Sequence, residues 1–248
     1  MIRIVLGQVG SGKTASVVRE LVNGFGDRPT YTNIHIRKAK NVRQITADMI
    51  FKKEVVKVKK DGSEVTKLQF NKEFWRGVRE KEGSINVVID EAHMFFDARR
   101  SMSNVNKIMS NFLSELRRIL GQDSNGYGEL ILITQLSNRL DVHSRDMATK
   151  VQYHQCYFNK SCRCGFAIRE DNENPDPMFR CPYCSAPLKK HSHTILIYHF
   201  SSMDNYETWK HYRMKSYYRI TKINDIEDYF SYYDTLQWDD LFEDIYEN

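Results

Sequence analysis

The sequence predicts an α/β protein with a parallel central sheet, and three observations support this prediction. Residues 2–6, 85–89 and 129–134 are short apolar segments with the length of buried strands. Segments with a helical spacing of apolar residues separate them, and such alternation is typical of a parallel sheet. The 248 residues, 41% of them apolar, suffice for one large domain with a small appendage and no disulfide staples.

The remaining elements extend this pattern along the chain. Five further segments are predicted: helices over residues 14–22 and 105–120, and strands over residues 30–36, 151–158 and 193–200. Residues 50–70 alternate around Asp61-Gly62, a strong hairpin signal, with Lys at alternate positions. We therefore expect an exposed basic hairpin inserted in the α/β domain. No apolar stretch approaches the length of a membrane span, and we do not expect the segment before the phosphate loop to act as a signal peptide.

A complete phosphate-binding loop, Gly-Gln-Val-Gly-Ser-Gly-Lys-Thr, joins the first strand to the first helix. Its glycines allow the backbone to wrap a phosphate, and the amides and the helix dipole supply positive potential. The residues predicted to bind the nucleotide are Gly7, Gly10, Ser11, Gly12, Lys13 and Thr14. Lys13 is expected to contact the β and γ phosphates, and Thr14 to offer its hydroxyl to Mg²⁺. The loop thus predicts a site for ATP with Mg²⁺.

Two carboxylates follow the next apolar strand. Asp90 is expected at the carboxyl end of a central strand, where it can hold Mg²⁺ through a bound water. Glu91 can polarise a water for attack on the γ phosphate, which favours hydrolysis over transfer to a small acceptor. Gln135, after the strand at 129–134, would lie near the γ phosphate if that strand lies between the other two. The alternatives are an exposed acidic pair and an ordinary strand end.

The order of these motifs resembles the additional-strand, catalytic-glutamate class of P-loop ATPases. Within that class it is similar to the zonula occludens toxin family, with its relatives among viral DNA-packaging and phage-assembly ATPases and the FtsK and HerA translocases. The resemblance covers about residues 1–155 and rests on residues 7–14, Thr32-Asn33-Ile34, Asp90-Glu91-Ala92-His93, Phe95-Phe96, Arg99, Arg117-Arg118, Ile133-Thr134-Gln135, Leu140-Asp141 and Arg145.

The resemblance implies a RecA-like sheet and an oligomeric ring. Such a ring commonly inserts an arginine from the neighbouring subunit to stabilise charge in the transition state. The favoured candidates are Arg117, Arg118 and Arg145, followed by Arg99 and Arg139. Each has the alternative of an ordinary surface or interface ion pair. Phage-assembly members carry a transmembrane helix that this sequence lacks, which favours a packaging motor over membrane extrusion.

Four of the five cysteines lie within 23 residues and predict a structural zinc site. The expected ligands are Cys162, Cys164, Cys181 and Cys184. The second pair has the spacing of a zinc-ribbon knuckle, whereas the first pair has one intervening residue instead of two. Cys156 could replace a ligand, and three nearby histidines could compete: His154, His191 and His193. Disulfides or free thiols are the alternatives. Basic residues around the pairs favour contact with nucleic acid, with protein docking as the second reading.

Charge is distributed unevenly along the chain. The net charge is +5, yet residues 223–248 hold nine acidic residues and no Lys or Arg, so residues 1–222 carry +14. A basic body suits a protein that neutralises phosphates, although a solvated lysine-rich surface is an equal alternative. The aromatic, acidic end of the chain permits an amphipathic helix. That helix is expected to pack on its own domain or, alternatively, to dock a partner.

These observations predict four regions: an ATPase core over 1–158 with the hairpin at about 50–70, a zinc-ribbon-like insertion over 159–192, a returning strand over 193–203, and a helical C-terminal extension over 204–248. The first functional hypothesis is an ATP-hydrolysing motor on DNA, expected to be double-stranded. It would package a viral genome as a homo-oligomeric ring such as a hexamer, in the cytoplasm, that of the host if viral. A capsid or other viral protein is a candidate partner of the ribbon or tail. The alternatives are an ATP-gated nucleic-acid-binding switch and a filamentous-phage-type assembly ATPase.

Overall fold

The protein has the predicted α/β class, with a central sheet that is largely parallel. The structure, a computed structural model, describes residues 1–58, 64–96, 104–171 and 179–234, except for the side chains of residues 26, 64, 104 and 191. Three predicted features lie outside the described residues: the Asp61-Gly62 turn, Arg99 and the chain beyond residue 234. No helix within the described residues is long and apolar enough to cross a membrane.

Fifteen strands and seven α-helices occur within the described ranges. The strands are β1 (Ile2–Leu6), β2 (Thr30–Thr32), β3 (His35–Ile36), β4 (Val42–Gln44), β5 (Phe51–Val58), β6 (Glu64–Phe70), β7 (Asn86–Ile89), β8 (Gln122–Asp123), β9 (Gly126–Tyr127), β10 (Leu130–Ile133), β11 (Lys150–Ser161), β12 (Ala167–Asp171), β13 (Lys189–Phe200), β14 (Arg219–Asn224) and β15 (Tyr233–Asp234). The helices are α1 (Lys13–Val22), α2 (Ala47–Ile50), α3 (Lys72–Glu82), α4 (Asn104–Ser114), α5 (Leu116–Leu120), α6 (Val142–Asp146) and α7 (Met203–Tyr212).

Strand order in the main sheet sets the position of the site. The order is β4, β2, β7, β10, β1, β11, β13, β14, with β12 paired to β11, and the strands from β4 to β11 run parallel. β10 therefore lies between β1 and β7, which meets the condition under which Gln135 would lie near the γ phosphate. Because the carboxyl ends of parallel strands meet at one edge, the residues after β1, β7 and β10 converge there.

The buried faces of the sheet explain why these segments form strands. Every residue of β1, β7 and β10 is buried, as expected of a parallel sheet covered by helices on both faces. On one face Trp75 of α3 is 1% exposed and packs edge-to-face on Tyr31 and Phe112. On the other face α1 contributes Val17 and Val18 to the core. The phosphate loop therefore joins a strand and a helix that are both packed in the core.

The basic hairpin predicted over residues 50–70 is present. β5 pairs antiparallel with β6, from Phe51 opposite Phe70 outward, and both phenylalanines anchor the base of the hairpin in the core. Beyond Phe51 every residue of β5 is exposed. The hairpin therefore projects from the domain as an exposed ribbon.

One predicted helix and one predicted strand are each divided in the structure. The helix over 105–120 is divided into α4 and α5 at Glu115, where the Asn111 carbonyl accepts from both the Ser114 hydroxyl (2.8 Å) and the Glu115 amide (3.2 Å). The strand over 30–36 is split into β2 and β3, since Asn33 leaves the sheet to bind Asp90.

The C-terminal extension is only partly helical. α7 follows the returning strand as predicted, but β14 then pairs antiparallel with β13 and adds a strand to the main sheet. Residues 226–232 form a 3-10 helix instead of the predicted amphipathic α-helix, because β15 then pairs with β3 and draws the chain into an extended conformation. These residues cross the face of α1.

Candidate nucleotide site and metal centre

The phosphate loop has the backbone that its glycines allow. Gly12 has a φ of 78°, a left-handed conformation that L side chains rarely adopt. A Cβ on Gly12 would lie 2.2 Å from Cδ1 of Ile195 on β13, and a Cβ on Gly7 would lie 2.5 Å from the carbonyl oxygen of His154 on β11. Both glycines are therefore required by close approach of the neighbouring strands, and not only by a ligand.

Lys13, the predicted phosphate-binding lysine, lies against the loop. Its Nζ donates to the carbonyl oxygens of Gly7 (2.9 Å) and Gln8 (2.8 Å), and the side chain is 7% exposed. Burial lowers the pKa of Lys13, while the carboxylates of Glu91 and Asp90 oppose that shift. The cation is held at the loop by backbone carbonyls from which it can extend toward a phosphate.

Thr14 and Asp90 lie together at the carboxyl edge of the sheet. The Thr14 hydroxyl donates to Asp90 Oδ2 at 2.8 Å, and the Glu91 amide donates to Asp90 Oδ1 at 2.8 Å. Burial raises the pKa of Asp90 to about 6. A hydroxyl and a carboxylate in contact are the oxygen ligands that Mg²⁺ uses in phosphoryl-transfer sites, so these two residues fit the predicted role of holding the ion.

Asn33 holds Asp90 in place, a role that the sequence did not reveal. Asn33 Oδ1 accepts from the Asp90 amide at 2.8 Å, and its Nδ2 donates to the Asp90 carbonyl at 3.1 Å. The hydroxyl of Thr32 accepts from the Ile34 amide at 3.1 Å and fixes the turn that presents Asn33. In the sequence, Thr32-Asn33-Ile34 stands out only as part of the family resemblance, because Asp90, which Asn33 contacts, follows another strand.

Glu91 is positioned by two neighbours. Gln135 Nε2 donates to Glu91 Oε1 at 3.1 Å, and His93 Nδ1 lies 3.2 Å from Glu91 Oε2. His93, then Gln135 and Lys13 lower the pKa of Glu91 against the opposing effect of burial. The backbone of Glu91 is left-handed, with a φ of 47°. An ionised carboxylate in this strained turn suits the predicted role of orienting and deprotonating a water.

A buried histidine supports the loop from below. His154 on β11 is 1% exposed, and its Nδ1 lies 3.1 Å from the hydroxyl of Ser16, which in turn donates to the Lys13 carbonyl at 2.8 Å. Burial lowers the pKa of His154 to about 3, so the ring is neutral at physiological pH. His154 thus contacts the first turn of α1 from β11, and it does not take part in the cysteine cluster.

The candidate arginines divide between the two edges of the sheet. Arg139 follows β10 at the carboxyl edge, the edge of the phosphate loop, whereas Arg145 lies on α6, which leads into the start of β11 at the opposite edge. The Nε atom of each is buried without a hydrogen-bond partner among the described residues. Arg117 and Arg118 are exposed on α5, which ends beside the start of β7, and Arg118 pairs with Glu115 at 2.9 Å. Of these four arginines, only Arg139 directly follows a strand at the edge of the phosphate loop.

A cavity of about 360 Å³ lies over the loop. Its walls include Lys13, Glu91 and Gln135, which the sequence predicted, together with Phe230 and Tyr233 from the C-terminal extension, which it did not. No local pattern signals the last two residues, because the chain returns to the loop only through the pairing of β15 with β3. Of the predicted site residues, this cavity is lined by Gly10, Gly12, Lys13, Thr14, Glu91 and Gln135.

The four predicted zinc ligands form one cluster. The Sγ atoms of Cys162 and Cys184 are 3.1 Å apart, those of Cys164 and Cys181 are 3.5 Å apart, and all four lie within 4.8 Å of one another. Four thiolates at about 2.3 Å from a central Zn²⁺ would lie about 3.8 Å apart, so the cluster fits a tetrahedral ion. All five cysteines are free thiols in the structure, and Cys156 is buried in a separate apolar cluster.

Backbone geometry around the cysteines also fits zinc. Burial would raise the pKa of Cys181, but hydrogen bonds from the amides of Cys184 and Tyr183 lower it to about 7. The amide of Phe166 also donates to the sulfur of Cys164, although the neighbouring thiols of Cys181 and Cys162 raise the pKa of Cys164 overall. Such amide donors stabilise thiolates, the form of cysteine that binds metal. His193 contacts Glu227 instead of the cluster, and the side chain of His191 is not described.

The fold and the site define a P-loop NTPase: a parallel sheet with an added strand between β1 and β7, a phosphate loop after β1 and paired carboxylates after β7. A comparison with protein families matches residues 1–174 to the family described as zonular occludens toxin. The chain belongs to the zonular occludens toxin family, which confirms the predicted resemblance. The comparison with curated proteins gives no match.

The solved structures that are similar to this chain include two that are described here. The N-terminal domain of zonular occludens toxin from Neisseria meningitidis is 16% identical, with a TM-score of 0.49, covering 94% of this chain and 98% of that one. The genome packaging NTPase B204 from Sulfolobus turreted icosahedral virus 2, in complex with AMPPCP, is 14% identical, with a TM-score of 0.37, covering 61% of this chain and 73% of that one. The fold assignment itself rests on the strand order and the family match.

Proposed function

We propose that this protein hydrolyses ATP and uses the energy to move DNA, as a motor that packages a viral genome. The observation that carries the proposal is the contact of Thr14 with Asp90 beside Glu91 and Gln135, over a phosphate loop with its lysine in place. This arrangement supplies every role that phosphoryl transfer to water requires within one subunit.

Each residue has a role in the proposed reaction. The amides of the phosphate loop and Lys13 bind the phosphates, while Thr14 and Asp90 would hold Mg²⁺, which supplies charge neutralisation when bound. Glu91 would orient the attacking water and accept its proton as an ionised carboxylate, the form that its lowered pKa favours. Gln135 reaches the same carboxylate and would respond to the presence of the γ phosphate.

DNA is the proposed polymer because two basic surfaces project from the domain. The hairpin exposes Lys53, Lys57 and Lys67, and the cysteine cluster is surrounded by exposed Arg163, Arg169, Arg180, Lys189 and Lys190. Lysine and arginine on projecting ribbons neutralise phosphates without reading sequence, which suits a motor that must accept any sequence. Zn²⁺ held by the four cysteines would fix the second surface.

We propose that the protein assembles into a homo-oligomeric ring such as a hexamer. The ring would act in the cytoplasm, which is the host cytoplasm if the protein is viral. An arginine from the adjoining subunit would complete each site, with Arg145, Arg117 and Arg118 as candidates. Of these candidates, Arg117 and Arg118 are exposed, as contact with an adjoining subunit requires. A capsid or other viral protein would dock on the cysteine-rich insertion or the C-terminal extension.

The decisive experiment compares Glu91→Gln with wild type in ATP binding and in hydrolysis with duplex DNA, single-stranded DNA or RNA. We expect duplex DNA to stimulate wild-type turnover, and Glu91→Gln to bind ATP while losing turnover by at least about 100-fold. The control is Glu80→Gln, an exposed glutamate on α3 that should leave both properties unchanged. A mass measurement of the assembly in the presence of ATP reports the ring.

Two results would redirect the proposal. DNA binding that requires ATP but is unaffected by Glu91→Gln would indicate an ATP-gated binding switch in place of a motor. Flotation of the protein with lipid vesicles would instead favour a filamentous-phage-type assembly ATPase. Absence of both ATP binding and hydrolysis in wild type would contradict the proposal as a whole.

A further inference from the structure

Residues 225–234, here called the C-terminal strap, cross the helix that carries the phosphate loop. The strap begins at β14, where Ile226 is 1% exposed and packs with Ala15 in an apolar cluster. Tyr229 then lies beside α1, where its hydroxyl accepts from Asn23 Nδ2 at 3.3 Å. The strap thus follows α1 from its first turn to its end.

The far end of the strap is fixed to the other side of α1. The Arg37 amide donates to the Tyr232 carbonyl at 2.8 Å, and Tyr233 pairs with Ile36 in the β15–β3 ladder. Asp234 lies 3.6 Å from the guanidinium of Arg37. Since both ends are held by backbone or packing contacts, the strap is a fixed wall beside the phosphate loop.

Two aromatic side chains of this wall face the cavity over the loop. Phe230 and Tyr233 line it together with Gly12, Lys13 and Thr14. Phe230 is 45% exposed although the chain around it is well anchored, and its one described ring neighbour is His193, at 5.9 Å between centroids. Packing of the strap alone does not account for an exposed phenyl ring at this position.

We propose that Phe230 and Tyr233 bind the adenine base of ATP by stacking. This inference rests on the proposed function and names the part of the ATP site that the motifs leave unassigned. The phosphate loop, Glu91 and Gln135 provide charges and hydrogen bonds for the phosphates, but none of them offers a surface to a base. The base is the one flat, apolar part of ATP, and an aromatic ring in the same cavity matches it.

The test compares two ligands in the full-length protein by calorimetry: Mg²⁺-ATP and Mg²⁺-tripolyphosphate, which has the phosphates without the base. We expect Phe230→Ala to weaken ATP binding about tenfold, the effect of losing one stacking partner, and to leave tripolyphosphate binding unchanged. Phe230→Trp should restore ATP binding, because it keeps a flat ring at the site. Tyr233→Ala should act in the same direction as Phe230→Ala.

The matched control is Tyr212→Ala, an aromatic residue 74% exposed at the end of α7, which should change neither ligand. Unchanged or tighter ATP binding by Phe230→Ala would overturn the inference, the latter showing that the ring obstructs the site. Equal loss of both ligands would also overturn it, because the strap would then support the phosphate loop itself. If wild type binds tripolyphosphate but not ATP, the base site is wrong; if it binds neither, the proposed function fails as well.

Discussion

The side-chain amide of Asn33 makes two hydrogen bonds to the backbone of Asp90: Oδ1 accepts from the Asp90 amide at 2.8 Å, and Nδ2 donates to the Asp90 carbonyl at 3.1 Å. The two residues follow neighbouring strands, and the paired hydrogen bonds fix the height at which Asp90 leaves the sheet. That height decides whether the carboxylate reaches the hydroxyl of Thr14. A residue that touches no ligand therefore sets the geometry of the proposed magnesium site.

The first prediction concerns Asn33→Ala. We expect the free energy of unfolding to fall by about 1–2 kcal/mol, since the variant loses two hydrogen bonds and leaves the Asp90 amide unpaired. The apparent affinity for Mg²⁺ in the ATPase assay should fall about tenfold, as for other residues that support metal ligands. Denaturant unfolding and a magnesium titration measure the two effects. Asn138→Ala, at an exposed asparagine, should change neither.

The second prediction concerns the protonation of Asp90. Its pKa of about 6 in the folded protein lies above the ordinary value of 3.8, so the folded state favours the neutral acid and the ionised form is destabilising. Without Mg²⁺ and nucleotide, Asp90→Asn should therefore be more stable than wild type at pH 8. We expect about 1–2 kcal/mol, less than the roughly 3 kcal/mol of a two-unit shift because the amide loses an acceptor.

The pH dependence of this difference tests its cause. The gain from Asp90→Asn should be constant above pH 6 and should shrink between pH 6 and pH 4, as wild-type Asp90 becomes protonated in the folded protein. Comparing the two proteins cancels the other titrating groups, including His154. Thermal unfolding at several pH values with a chelator present measures the difference. A gain that stays constant down to pH 4 would contradict the assignment.

The third prediction concerns a buried ion pair at the opposite edge of the sheet. Arg3 on β1 is 5% exposed and pairs with Glu129 at 2.9 Å and with Glu20 at 2.8 Å. Arg3→Met should lower the free energy of unfolding by about 3–5 kcal/mol, because it leaves the buried carboxylate of Glu129 with Lys150, at 3.3 Å, as its one remaining ion pair among the described residues. Denaturant unfolding measures the loss. Lys52→Met, which breaks an exposed ion pair with Glu73, should give no measurable change.

The fourth prediction concerns the metal. Purified protein should contain about one Zn²⁺ per chain, and Cys181→Ser should lose it together with several degrees of thermal stability. Cys156→Ser is the matched control, since Cys156 lies in a separate apolar cluster and should retain the full zinc content. Elemental analysis and thermal unfolding measure both properties. Full zinc in Cys181→Ser would exclude this cysteine as a ligand.

Local patterns were sufficient to predict the central strands β1, β7 and β10, the phosphate loop and the paired carboxylates. Each is encoded by adjacent residues: an apolar run that fits a buried strand, glycines that permit a tight turn, and acidic residues directly after a strand. The cysteines could also be found, because the members of each pair are close in sequence. The parallel order that brings these pieces together follows from the alternation of strands and helices.

Contacts between residues that are distant in the sequence could not be predicted from local patterns. Asn33 is 57 residues from Asp90, and His154 is 138 residues from Ser16, so neither role leaves a periodic trace in the sequence. The strap was predicted as an α-helix because its apolar spacing permits one. Pairing of β15 with β3 overrides that preference, and only the folded chain shows which partner strand is available.

The antiparallel ribbon of β11 and β13 extends from the phosphate loop to the cysteine cluster. At one end, Ile195 fills the space beside Gly12; at the other, Ser161 pairs with Lys189 directly before the cysteine turns. These points are about 17 Å apart along the strands. The ribbon therefore links the backbone of the phosphate loop to the cysteine-rich end through one continuous pair of hydrogen-bonded strands.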